Sequence, residues 1–472
     1  MKKTGDDYFD SEEFHELLAE YENALETGMP VFMDADELAE IADYYQMEDR
    51  YDEACAAIDL ALSLSPGAVA PLTFKIHEAL WIGNIDEARQ YLSKIIDTDD
   101  PDYVYDKAEI LLAEEHVEEA DLYLNEELKK VPQEEHQDFV VDVANIFADY
   151  NYPEQAMMWM ARAHQEDSSE FKELMARTLF GLGKYKESEK IWGELIERDP
   201  FSKHYWNAMA STQFMNENYS GSVESSEYAI AIDPDDPEGI LAKANALYRL
   251  NNYEEAQKYF ERYNEYMPSD EFGLMNQGAC LVNLGRIADA IVKLEKAIAI
   301  SPVDSPYLAD IYQELSFAYS ENGDHDKALQ MLDKADEQPE TDHVQIMLVR
   351  GHITLASGQL AKAERIFKQA VMNSDTPNET LLRVIVSIYD NRYAEAAYAL
   401  FKKYFKIIDE GCVDGYAYMA LCCYDLKRYD EFLSYLKAAC ELNPEECRTA
   451  LSHLFPENLE PQEYYIYIKD CL

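Results

Sequence analysis

Two histidine-glutamate pairs, His15-Glu16 and His77-Glu78, open the pattern H-E-x-x-H, in which histidines one helical turn apart hold zinc and the glutamate acts as general base. Ala19 and Trp81 stand where the second histidines would be, so neither pair can build that site. The run Gly181-Leu182-Gly183-Lys184 has the flavour of a phosphate-binding loop, but it lacks the spaced first glycine and the Ser or Thr after the lysine. Asp97, Asp99, Asp100 and Asp102 are spaced like calcium ligands, yet Pro101, Asp102 and Ala108 occupy the fifth-ligand, glycine and bidentate-glutamate places. Six of the eight cysteines cluster at Cys412, Cys422, Cys423, Cys440, Cys447 and Cys471, without C-x-x-C or zinc spacing, so they read as buried filler. Paired carboxylates cannot be singled out among 94 acids. These residues predict no catalytic centre, no metal and no cofactor, and hence no enzyme.

What must position any functional residue is a repeat. An alanine or serine recurs about every 34 residues, at Ala54, Ala88, Ala120, Ala156, Ser188, Ser222, Ala256, Ala290, Ala328, Ala363 and Ala396, with Phe432 as the twelfth mark. Twelve residues after seven of these marks stand Pro66, Pro132, Pro200, Pro234, Pro268, Pro302 and Pro444, each stopping an apolar, helix-like stretch because proline cannot donate to the helix ladder. Twelve residues before the mark the side chain is small in ten of twelve units, as at Ala42, Ala108, Gly278 and Gly351. Four residues after it comes a large apolar group, as at Ile58, Trp192, Leu294 and Phe367. Two helices per unit can therefore cross closely, with the large side chain filling the space beside the crossing.

These units resemble the tetratricopeptide repeat (TPR) superfamily, most closely in NALYRLNNYEEAQKYFERYNEYMP from Asn245 to Pro268 and GACLVNLGRIADAIVKLEKAIAISP from Gly278 to Pro302. The lead-in from Phe9 to Tyr45 also resembles uncharacterised, strongly acidic TPR proteins of anaerobic gut bacteria. The resemblance implies an all-α, right-handed TPR-like α-solenoid superhelix of about twelve helix-turn-helix units. Its expected organisation is a lead-in with a capping helix over 1–33, one solenoid over 34–444 and a capping segment over 445–472. Glu127 and Lys403 where the family has small residues, the missing proline of unit four and the long stretch from Pro302 to Pro306 mark units three, eleven, four and nine as irregular.

The chain carries 40 basic and 94 acidic residues, a net charge of −54, with 47% apolar residues for a core. Such a field repels nucleic acid and anionic membranes and attracts basic partners. The start, MKKTGDDYFDSEEF, has no apolar stretch of a secretory signal, and no run approaches a membrane span, so a cytoplasmic protein is expected.

In the family, the first helix of each unit lines a concave groove. Carried onto this chain, that inward stripe lies 18, 15, 14, 11, 8 and 7 residues before each mark. It holds seventeen acids, among them Asp36, Asp43, Asp102, Asp106, Glu109, Asp138, Asp142, Asp310 and Glu314, against Arg177 and Arg249. Helix starts favour carboxylates and supply part of this excess. Family members that grip acidic tails use a clamp of lysine, two asparagines, lysine and arginine. Asn245 and Asn276 match its asparagines, but Leu241, Asp310 and Glu314 replace its cations, so an acidic tail would be repelled. Apolar stripe positions appear at Phe74 and Trp81 and at Leu381, Ile385 and Ile388, where a partner could anchor or the tail EYYIYIKDCL could cover. His77, His204 and His352 also fall on the stripe. The reading is a noncatalytic scaffold whose acidic groove binds a basic, partly apolar protein segment. A receptor for a small peptide effector is the alternative, and an enzyme with an unrecognised site the remote one.

Overall fold

A computed structural model describes residues 6–9, 11–163, 167–339, 341–408, 413–456 and 459–469. Every regular element among them is helical, and no described helix is long and apolar enough to cross a membrane. The chain forms two compact units, Met1–Asn218 and Tyr219–Leu472, which part within the sixth repeat.

Both units are built from helix pairs of the predicted kind. Pro237–Arg249 pairs with Tyr253–Tyr266, and Glu271–Asn283 with Ile287–Ile300, the two helices of each pair packing along one another. First helices also pack directly on the first helices of the next repeats, as Val69–Trp81 does on Pro101–Ala113 and Leu308–Glu321 on His343–Ala356. A row of first-helix side chains can therefore touch from repeat to repeat.

The close crossing has a direct cause. A methyl group added to Gly278 would lie 2.6 Å from Leu294 Cγ, and one on Gly351 would run into the Phe367 ring. The small residue twelve before the mark thus faces the large one four after it. Eleven of the twelve marks are fully buried or nearly so, Ala363 being the most exposed at 1%.

Each pair turns through a residue in the left-handed region five places before the mark, including Asp49 (φ 58°), Asn151 (φ 61°), Gly183 (φ 69°) and Lys427 (φ 58°). Gly183 shows that Gly181 to Lys184 is the turn of unit five. In unit eleven the left-handed residue is Arg392 (φ 67°), which shifts the mark from the exposed Ala396 to the fully buried Ala397. The sequence register there was one residue short. Phe401 and Tyr404, not Leu400 and Lys403, become the packing residues.

Pro66, Pro200, Pro234, Pro268, Pro302 and Pro444 each stand two residues beyond the end of a helix, as their missing N–H requires. The second helices of units three, four, nine and eleven are shortened, to Val117–Glu127, Pro153–Met160, His325–Asp336 and Ala394–Tyr404, against 14 residues in Tyr51–Leu64. Unit two is shortened as well, at Ile85–Leu92, where no irregularity was expected.

Aromatic contacts pack the lead-in and tail helices onto the neighbouring repeats. Glu12–Thr27 sets Phe14 against Tyr44 at 5.1 Å and Tyr21 against Tyr45 at 6.3 Å between ring centres. At the other end Pro444–Leu451 and Tyr464–Lys469 pack on Tyr429–Leu442, with Tyr464 stacked on Phe455 at 3.9 Å. The tail residues 470–472 lie outside the described residues.

Candidate functional site

In the first unit, four successive first helices bring stripe residues into contact: Ala35–Met47, Val69–Trp81, Pro101–Ala113 and His136–Asp149. Helical spacing puts Thr73 and His77 one turn apart, and both meet the carboxylate of Asp106 on the next first helix, Pro101–Ala113. Thr73 Oγ1 donates to Asp106 Oδ2 at 2.7 Å, and His77 Nε2 lies 3.3 Å from Asp106 Oδ1 and 3.5 Å from Glu109 Oε2. Tyr150 OH donates to Glu109 at 3.3 Å, and Tyr105 OH to Asp142 at 3.0 Å. Further along, Arg177 pairs with Asp149, and His204 Nε2 lies 3.1 Å from Glu173.

The electrostatics follow from crowding. Burial lowers the pKa of His77, but the Asp106 hydrogen bond and the charges of Glu109, Asp106 and Asp102 outweigh it and raise the value to about 9. The imidazole is therefore a cation at neutral pH, although its ring is 52% exposed. Asp43 is open to solvent yet hemmed in by protein. Burial pushes it up to about 6, with His77 lowering it and Glu40 and Asp102 raising it. Burial also raises Asp102, Glu109 and Asp142 above the usual carboxylate range.

Asp36, Asp43, Asp102 and Asp138 are exposed, Glu109 and Asp142 half-buried. Asp106 corrects the sequence reading: it is 1% exposed and both its oxygens are engaged within the protein, so it positions His77 and is not open to a ligand. Phe74 is likewise corrected, being 8% exposed in the core beside Ala35 and Leu38, whereas Trp81 on the same helix is 91% exposed. The register slip of unit eleven overturns three further anchors. Ile385 takes the crossing position and is fully buried, and Leu381 and Ile388 leave the stripe and pack against the same core. The corrected stripe there carries Glu379, Leu382, Arg383, Val386, Tyr389 and Asp390.

In the second unit Asp310 and Glu314, one turn apart on Leu308–Glu321, line a pocket of about 320 Å³ with Tyr248, Met275, Asn276, Ala279, Gln313, Phe317 and Gln345. Burial, reinforced by the charge of Asp310, pushes Glu314 up to about 7.

One class of functional side chain was missed. Tyrosines supply much of the hydrogen bonding that carboxylates receive in this chain: besides Tyr105 and Tyr150, Tyr8 donates to Glu40 at 2.6 Å, Tyr319 to Glu295 at 2.6 Å and Tyr398 to Glu431 at 2.9 Å. A phenol satisfies a carboxylate without a charge, which suits a chain with 40 cations for 94 acids. The 35 tyrosines were the available signal.

The motifs set aside in the sequence serve the fold. Glu78 accepts from Lys75 at 2.9 Å, and His15 Nδ1 bonds the Ser11 carbonyl at 2.8 Å. Asp100 caps Pro101–Ala113 through the Asp102 amide at 2.9 Å. Cys423 and Cys440 are buried, Cys412 and Cys471 fall outside the described residues, and no grouping that could hold a metal occurs among the described ones.

Family models for the tetratricopeptide repeat match residues 174–237, 213–272, 309–341 and 414–446. FlbA of Caulobacter vibrioides is 27% identical over 121 residues, which span 26% of this chain and 20% of that protein. A STIP1 homologue of Dictyostelium discoideum is 32% identical over 108 residues, 22% of this chain and 19% of that one. The chain thus spans about a fifth of the length of these curated relatives. Among solved structures, PilW, a type IV pilus biogenesis factor, has 21% identity and a TM-score of 0.40, covering 46% of this chain and all of that one. YrrB, described as a TPR protein with an unusual peptide-binding site, has 21% identity and a TM-score of 0.34, covering 41% and 93%. With these family matches lying on helix pairs that recur every 34 residues or so, the chain is a tetratricopeptide-repeat protein.

Proposed function

We propose that this protein is a noncatalytic cytoplasmic scaffold that holds a basic, partly apolar protein segment along the first helices of its N-terminal unit. The observation that carries the reading is the state of its acids. Asp43, Asp102 and Asp138 stand exposed on three of the four contacting first helices of that unit without an ion-pair partner among the described residues, while Asp142 is held only by a phenol. Carboxylates that are already crowded gain most from an incoming cation, because a lysine or arginine relieves their mutual repulsion as it binds. Trp81, 91% exposed at the same surface, supplies an apolar and cation-binding face. Free cysteines at Cys280, Cys422, Cys423, Cys440 and Cys447 fit a reducing compartment.

The role of His77 follows from the same arithmetic. It acts as a built-in cation that keeps Asp106 and Glu109 together, leaving Asp102, Asp138 and Asp142 for a partner. Capture of a basic protein at low salt, with loss on Asp138→Lys and Asp142→Lys, supports the scaffold. Capture indifferent to both substitutions and to salt overturns it.

A further inference from the structure

The pocket of the second unit differs in kind from the open stripe of the first. Four consecutive first helices wall it, supplying Tyr248, Asn276, Asp310 with Glu314, and Gln345 in turn. Neither carboxylate has an ion-pair or hydrogen-bond partner among the described residues. Arg383 is engaged elsewhere: it donates to the Gln345 amide oxygen, and Gln345 Nε2 donates to Gln313 Oε1 at 3.2 Å. Asn276 spends its amide nitrogen on the Phe272 carbonyl at 2.9 Å, which turns its oxygen into a further acceptor. The rings of Tyr248 and Phe317 complete the walls.

We infer that this pocket binds one organic cation, the ammonium or guanidinium end of an alkyl chain. Two carboxylates and an amide oxygen accept its N–H groups, and aromatic faces attract its charge. A volume of about 320 Å³ suits one such chain end and excludes a folded element. The site stands independently of the N-terminal stripe, since it lies in the other unit and asks for a single cation.

Glu314 makes occupancy measurable. The charged or titratable groups that face it are Asp310 on its own helix, Cys280 on the preceding first helix, Tyr248 on the one before, and Arg383 through Gln345. The second helices packed against Leu308–Glu321 place none in the lining. Burial holds Glu314 up near 7, so part of it is protonated at neutral pH, and a cation bound beside it lowers its pKa and expels protons.

The experiment is calorimetric titration of the full chain with spermidine and with an acetylated, amidated Gly-Lys-Gly tripeptide, at pH 7 in buffers of different ionisation enthalpy. The expected result is proton release on binding, abolished in Glu314→Gln together with an affinity loss of about tenfold or more. Glu254→Gln removes the same charge from an exposed second-helix position and should change affinity less than about twofold. Tighter binding of the tripeptide identifies a protein side chain as the source, and tighter binding of spermidine a free polyamine. Equal behaviour of the two variants without proton release overturns the site. Folding is checked separately. Glu314 is raised from 4.5 to about 7, so its contribution to stability is full below pH 4.5 and is lost as pH rises through 7. Glu314→Gln should therefore melt no lower than the parent protein at pH 8.

Discussion

His77 Nε2 lies 3.3 Å from Asp106 Oδ1, joining the first helices of two successive repeats through a charged pair whose carboxylate is 1% exposed. The pair is internal electrostatics at a surface otherwise dominated by unpaired acid. Its consequence is a histidine that titrates far from its ordinary range.

The folded-state value of about 9 lies above the ordinary 6.5, so the stabilisation from His77 is fully present below pH 6.5 and is lost as pH rises through 9. NMR titration of the His77 ring should give that elevated value, and Glu109→Gln should move it back toward the ordinary range. The loss of melting temperature between pH 7 and 9.5 should be smaller in His77→Gln than in the parent protein.

Tyr105→Phe deletes the hydroxyl that holds Asp142. Removing a hydrogen bond to a charged group should cost about 1.5–3 kcal/mol. Burial has already raised the Asp142 pKa and the phenol holds it down, so the substitution should raise it further, as seen by carboxyl NMR.

Gly351→Ala should destabilise the second unit by about 1–3 kcal/mol, because the added methyl group meets the Phe367 ring. Phe367→Leu in the same chain should recover part of that loss, and a double-mutant cycle measures the coupling.

The fold was legible because its information is local. Small residues such as Gly351 meet large ones such as Phe367 through spacings that survive within each unit, whatever the neighbours do. Unit eleven was misread because the sequence offers adjacent equivalents: Ala396 beside Ala397, and Val384 beside Ile385. Only the left-handed Arg392 decides between them. The stripe could be located by face but not by depth. Asp106 and Asp102 share a helix face, yet one is buried under Thr73 and His77 while the other faces solvent. Periodicity gives direction, and only packing shows which carboxylates are already engaged.

Binding of a fluorescent twelve-residue peptide of alternating lysine and leucine, followed by anisotropy at 50 and 300 mM salt, tests the acidic stripe most directly. The account predicts that Asp138→Lys with Asp142→Lys weakens binding by about thirtyfold or more at low salt and flattens its salt dependence. Reversal of Glu118 and Glu154, exposed acids on second helices of the same unit, should change it only a fewfold. Equal losses from the two pairs would show that the protein attracts cations by net charge alone, and would contradict a binding stripe on the first helices.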